Sequence, residues 1–185
     1  PEEVRRCIGV ENHITPPSES RKNGRIEYEM KEYAVSAIES FLEQGGSLRR
    51  AESPWLAPPP GAYSEERWTN PGRYEKIAPS VLMKALWLGR MTRPDLLFSI
   101  SFLSRQLTKW TKLCDHRLER LFGYIDQPKG LVLAGDISSG KEALANAEIN
   151  VYVDSDLAGS EDCTQSTSGC FVTLSTKAGE VPLDF

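Results

Sequence analysis

Apolar positions along the chain switch between two periods, and the switches mark out the elements. "VRRCIGVENHI" near the start reads as a strand, and "RIEYEM" as a second one, reached through the Pro, Ser and Gly-rich "TPPSESRKNG". Together they predict a hairpin with a long connection. From Lys31 the spacing becomes helical: Tyr33, Ala34, Ala37, Ile38, Phe41 and Leu42 share one face, and Gly45 and Gly46 supply a left-handed stop. "ESPWLAPPPGAYSEERWTNPG" then interrupts regular structure, because proline lacks a donor and restricts the residue before it. Residues 51–72 are therefore expected to be a linker.

Helical spacing returns in three stretches. "APSVLMKALWLGRM" lines one side with Val81, Leu82, Ala85, Leu86 and Gly89, and "RPDLLFSISFLSRQL" starts on Pro94 with Asp95 beside it, where a negative charge suits the positive end of the helix dipole. "WTKLCDHRLERLFGYID" repeats Leu118, Leu121, Phe122 and Ile125 at spacings of three and four. After Gly130, "LVLAG" reads as a strand, followed by a polar loop with a short helical stretch. "EINVYVDSD", "GCFVTLST" and "EVPLDF" then alternate as an antiparallel sheet does. The fold class expected is α+β, with a strand hairpin and helix over 1–50, the linker over 51–72, a helical module over 73–130 and antiparallel strands over 131–185. The hairpin with its helix and the helices from Pro79 to about Gln127 are expected to pack as separate units.

Composition is that of an ordinary globular chain: 185 residues, 39% hydrophobic and 26% charged. A net charge of -4 and a pI ≈ 5.4 give no reason, for the chain as a whole, to expect nucleic acid or an anionic membrane as partner. The distribution changes that picture. Between Lys84 and Arg120 stand eight Lys or Arg against Asp95, Asp115 and Glu119, and between Asp136 and Asp162 seven acids stand against Lys141. A basic block beside an acidic one suits a cation-dependent nucleic-acid enzyme, and solvated helix faces produce such runs as well. Cys7, Cys114, Cys163 and Cys170 lie far apart with no C-x-x-C spacing, so they read as reduced thiols of an intracellular protein, cytoplasmic or nuclear. No apolar run approaches the ~18 residues of a membrane helix, and no signal-peptide pattern opens the chain. Opening on "PEEVRRCIGV" without Met, the sequence reads as a fragment.

Two motifs fail on inspection. "VDSDLAGSEDCTQ" places Asp154, Asp156 and Gly159 as in an EF-hand, yet Ala158 and Gln165 stand where calcium needs oxygen ligands, and strand-type runs flank it where helices belong. "LVLAGDISSGKE" aligns Gly135, Gly140 and Lys141 with a P-loop, but Glu142 replaces the hydroxyl residue that holds magnesium and would face the phosphates with negative charge. The helix that follows is also too short for a parallel crossover. A nucleotide-binding P-loop remains the alternative of a different class.

"PSVLMKALWLGRMTRPDLLFSISFLSRQLTKWT" and "VYVDSDLAGSEDCTQSTSGCFVTLS" together resemble the Pol polyprotein of copia-type LTR retrotransposons. In that family a helix ending in "TRPD" follows the reverse-transcriptase palm, and a "Y-x-D-A-D-W-A-G … S-T-S-G" segment opens the ribonuclease H domain. "CIGVE", the tyrosine helix "MKEYAVSAIESFL" and "AESPW" are similar to the same family, in the same order, so the resemblance spans nearly the whole chain. Leu157 stands where the family usually has Trp, and "PLDF" where a strand usually ends in Trp.

The resemblance implies the end of the palm and thumb region over 1–50, a thumb or connection module over 73–130, and the first strands of an incomplete ribonuclease H-like fold over 131–185. It implies Asp154 as a catalytic, metal-binding carboxylate for Mg2+ in the complete parent enzyme, where two ions flank the scissile phosphate. Asp156 shares its face by period two, where turn capping also explains it. The family's polymerase aspartates and its other ribonuclease H acids fall outside this chain, so the fragment is expected to be inactive alone. Its partners would be an RNA/DNA hybrid or duplex and the rest of the polyprotein. Arg93, Arg105, Lys109, Lys112, Arg117 and Arg120 would supply phosphate contacts, and Trp110 would pack on a sugar or base. A degenerate remnant acting only as an interaction module is the rival reading. His13 and His116 show no partner pattern and receive no role.

Overall fold

The computed structural model describes residues 6–20, 23–56, 69–128, 130–138, 145–156 and 166–185. The fold is α+β, with helices and antiparallel sheets. It divides into two compact units, one formed by Pro1–Glu29 with Val132–Phe185 and the other by Met30–Leu131.

The second unit is helical: α1 (Lys31–Glu43), α2 (Ala78–Met91), α3 (Leu97–Arg105) and α4 (Lys112–Asp126). Helix α1 ends as its glycines imply. Gly45 adopts φ 84°, the Gly46 N–H donates to the Phe41 carbonyl and the Gly45 N–H to that of Leu42, both at 2.9 Å, which satisfies carbonyls left over by the last turn. Pro79 occupies the first turn of α2, and Pro94 opens a 3-10 turn, Pro94–Leu96, that feeds α3. Helix α1 packs on α2 and α4, and α3 packs on the same two. Their shared core holds Phe41, Leu82, Leu88, Ile100, Leu103, Leu118, Leu121, Phe122 and Ile125. Phe41 stacks on Phe122 at a centroid distance of 4.5 Å and meets Tyr74 edge-on at 5.3 Å. Burying each such side chain contributes about 1.5–3 kcal/mol.

This arrangement corrects the expected domain boundary. Helix α1 belongs with the helices that follow the Pro-rich stretch, because Phe41 completes their core. The beginning of the expected linker is itself packed: Ala51 is buried, and Trp55 lies against Phe98 and Phe102 at 5.1 and 4.6 Å. Its end is tied down as well, by a bridge between Pro71 and Thr111 and by the Gly72 N–H donating to the Trp110 carbonyl. Residues 57–68, which carry most of the prolines, lie outside the described residues.

The strand unit contains two sheets. One runs in the order β1 (Arg6–Cys7), β2 (Val10–Thr15), β3 (Gly24–Glu29), β4 (Leu133–Ile137), all antiparallel. The expected first strand is thus two strands, split by a two-residue turn in which Ile8 and Gly9 take φ 54° and 83°. Successive positive φ values match the right-handed twist of a tight hairpin, and Gly9 accepts one without cost. The register puts Glu11 opposite Glu29, His13 opposite Glu27 and Arg25 opposite Asp136, so one face is an ionic ladder. Val10, Ile26 and Gly135 lie on the other.

The second sheet is β5 (Glu148–Asp156), β6 (Thr167–Thr176), β7 (Gly179–Asp184), again antiparallel. Gly135 of β4 approaches β7 so closely that a Cβ there would meet the Glu180 carbonyl at 2.6 Å and Val181 Cα at 2.7 Å. Val181 is buried there. No described helix is long and apolar enough to cross a membrane.

Candidate nucleic-acid interface and the Asp154 strand end

The basic block of the sequence separates into exposed and enclosed members. Arg105 ends α3, Lys109 ends a 3-10 turn (Leu107–Lys109) and Lys112 begins α4, so all three lie on one corner of the helical unit, and all three are exposed. None of them forms an ion pair with a described residue. No Asp or Glu occurs from Leu96 to Cys114, and the acids that bracket the stretch are committed elsewhere. Asp95 accepts from Arg93 Nε and Nη2 at 2.9 and 2.8 Å and from the Tyr124 hydroxyl at 2.8 Å. Burial alone would raise the Asp95 carboxyl, but the hydrogen bonds and charge of Arg93 bring it below the usual carboxylate range. Asp115 is buried and accepts from the Arg73 and Tyr74 backbone N–H groups at 2.7 and 3.1 Å. The corner therefore keeps its positive charge.

Arg93, Trp110 and Arg117, expected at the same interface, point inward with 3%, 4% and 6% of their surface exposed. Arg93 is fixed by Asp95 and by the Tyr124 ring, 5.3 Å from its guanidinium. Arg117 lies 4.3 Å over the Trp55 ring and 4.4 Å over that of Phe102. The Trp110 indole donates to Asp115 Oδ1 at 2.7 Å, completing that carboxylate's set of N–H donors, and has no face left for a base. These three are internal ties of the unit. Arg120 is half-buried, with Nη2 donating to the Ser53 hydroxyl at 3.1 Å. Four basic residues thus divide from the three side chains that hold the core, a distinction that depends on partners distant in sequence.

Asp154 lies near the end of β5, exposed, with Gly169 of β6 as its Cα partner. One of its carboxylate oxygens accepts from the Ser155 N–H at 2.9 Å. An open depression beside it is lined by Val153, Asp154, Ser155, Ser168, Gly169 and Cys170. On the same face Glu180 accepts from Asn150, Tyr152 and Thr173 at 3.2, 2.9 and 3.1 Å. Glu180 aligns with Ser175 and hence with Glu148 across the sheet. That row is six residues from Asp154, or ~20 Å along a strand. Among the described residues Asp154 belongs to no group of three or more acid, His or Cys side chains close enough to share a metal ion. The described residues do not fit a magnesium pair. The Asp156 side chain, Leu157, Cys163 and the P-loop residues Gly140, Lys141 and Glu142 lie outside the described residues.

One cluster escaped the sequence reading. His13 Nε2 stands 3.3 Å from Glu29 Oε2, and Glu11 completes a group whose ligand atoms all lie within 4.8 Å of one another. Period-two spacing already put Glu11 and His13 on one face, but only the hairpin register brings Glu29 opposite them. No family model, curated protein or solved structure matches the chain.

Proposed function

We propose that the chain is part of a retrotransposon RNA-directed DNA polymerase and ribonuclease H polyprotein of the copia type, and that its helical unit contacts the backbone of an RNA–DNA hybrid or duplex. The observation that carries this reading is the acid-poor corner of Arg105, Lys109 and Lys112, whose bracketing carboxylates are occupied by internal donors. Three exposed cations on a compact unit can each neutralise a phosphate, releasing condensed counterions, without reading sequence. The exposed Asp154 at a strand end and the antiparallel order of β5, β6 and β7 support the ribonuclease H part. Magnesium and the further acids would belong to the complete enzyme.

Replacing Arg105, Lys109 and Lys112 together by Ala should weaken binding to hybrids of unrelated sequence equally, from a dissociation constant of about 10–100 µM. Binding that is unaffected by the triple replacement would remove the support for this reading. A second reading, a non-catalytic interaction remnant, is favoured by the absence of Asp154 from any described cluster of three metal-binding side chains. Cleavage of the RNA strand of a hybrid, lost on Asp154→Asn, would exclude it.

A further inference from the structure

We propose that Glu11, His13 and Glu29 form a binding site for one divalent transition-metal ion of the zinc type on the ionic face of the four-stranded sheet. The site does not depend on the nucleic-acid reading, and it lies on a different sheet from Asp154. Strands β2 and β3 pair directly from Glu11 to Thr15 and from Arg25 to Glu29, so one continuous ladder holds the backbones of all three ligands. Glu11 and Glu29 are Cα partners across the ladder, and His13 follows Glu11 on the same face.

The ligand atoms lie within 4.8 Å of one another, with His13 Nε2 and Glu29 Oε2 at 3.3 Å. Ligands held ~2.0–2.2 Å from one zinc ion stand at most ~4.4 Å apart, so small side-chain rotations close the site. One imidazole nitrogen with two carboxylate oxygens suits zinc and its transition-metal neighbours. Calcium takes six to eight oxygens and magnesium a mostly hydrated octahedron.

Electrostatics point the same way. Two carboxylates directly opposite on a ladder repel, and Arg6 stands no closer to Glu11 than 3.8 Å. Glu27, the next acid on this face, is held by Arg25 Nε at 2.8 Å, and Arg25 also reaches Asp136 at 3.4 Å. Glu27 and Asp136 are thereby occupied, which leaves a three-ligand site with its remaining positions open to water. His13 is half exposed and Glu29 less so, which gives an ion access from solvent.

The chain contains two histidines, so ring NMR resonances separate the site from the rest of the protein. Zinc added to the full chain should shift the His13 ring and leave His116 unmoved, saturating at one ion per chain in calorimetry. His13→Ala and Glu29→Gln should each weaken that event at least about tenfold, since altering even an outer partner of a metal ligand costs 10–100-fold. Both variants retain the same four cysteines as the parent, so thiol binding is common to all three and cancels in the comparison. Zinc that perturbs His116 in place of His13, or binds equally to parent and variants, would overturn the proposal and leave a plain contact between His13 and Glu29.

Discussion

Phe41, Leu118, Leu121, Phe122 and Ile125 have no surface exposed in the helical unit, whereas Ile149, Val151 and Val153 of the strand unit are 67%, 57% and 76% exposed. The side chains are chemically similar; their neighbours differ. Each helix of the helical unit turns an apolar stripe toward two others, so a core closes around the aromatic contact of Phe41 with Phe122. A sheet has two faces, and β4 covers the second sheet at Val181 on β7 while the apolar positions of β5 stay open among the described residues. The consequence is a difference in sensitivity. Substitution should be costly in the helical unit and nearly silent on the open face of β5.

The largest expected effect is in the helical core. Phe122→Ala should cost about 3–5 kcal/mol through lost burial and a residual cavity. Gly123→Ala should be comparably disruptive, because a Cβ there would run into the backbone carbonyl of Arg49. Trp55, Trp87 and Trp110 lie in the helical unit, and no tryptophan occurs in the sequence of the strand unit, so fluorescence in a urea titration reports the helical unit's unfolding. Next comes Asp115→Ala, which strands the N–H groups of Arg73, Tyr74 and Trp110 and should cost roughly 2–4 kcal/mol by the same titration.

Acid should act on the helical unit in a defined direction. Burial alone would raise the Glu119 carboxyl, but hydrogen bonds from Ser47, Tyr74 and Arg73 hold it below its ordinary value, and Arg93 does the same for Asp95. Carboxylates depressed in the folded state contribute stability above their unfolded pKa, and that contribution is lost as pH falls through the folded value. Tryptophan-monitored stability should therefore decline below about pH 4, and Asp95→Asn should flatten part of the decline. An unchanged acid limb in that variant would detach Asp95 from the stability of this unit.

The smallest effects belong to the strand unit. Val151→Thr should change stability by less than about 0.5 kcal/mol, as surface substitutions do. Ile8→Asn should stabilise by about 0.5–1 kcal/mol, because a β-branched residue at φ 54° is strained and Asn-Gly suits such a turn. Circular dichroism in the strand region follows both. A loss of several kcal/mol at Val151 would mean that the face is covered in solution.

Helices were legible because their periodicity is local: Ala34, Ala37, Ile38 and Phe41 are buried as their spacing predicted, although Leu42 on the edge of that stripe is 42% exposed. Alternation likewise marked β5 and β6. Pairings between distant residues were not legible. Nothing local says that β3 pairs with β4, more than a hundred residues later, or that Phe41 packs on Phe122 across the Pro-rich stretch. The same limit applied to the candidate sites. Arg93 looks like Arg105 until Asp95 and Tyr124 are seen to hold it, and His13 gains its neighbour Glu29 only through the register of a hairpin with a long connection. Charge counts therefore overstated the candidate interface by including side chains that the core had claimed.

The salt dependence of binding to a short RNA–DNA hybrid tests the central claim most directly, measured by fluorescence anisotropy over a series of potassium chloride concentrations. If Arg105, Lys109 and Lys112 each neutralise one duplex phosphate, log affinity should fall against log salt with a slope of about -3. Their joint replacement by Ala should bring the slope close to zero, while Arg117→Ala, which removes a cation stacked on Trp55 and Phe102, should lower stability and leave the slope unchanged. A parent slope near zero, or one that persists in the triple variant, would contradict the account.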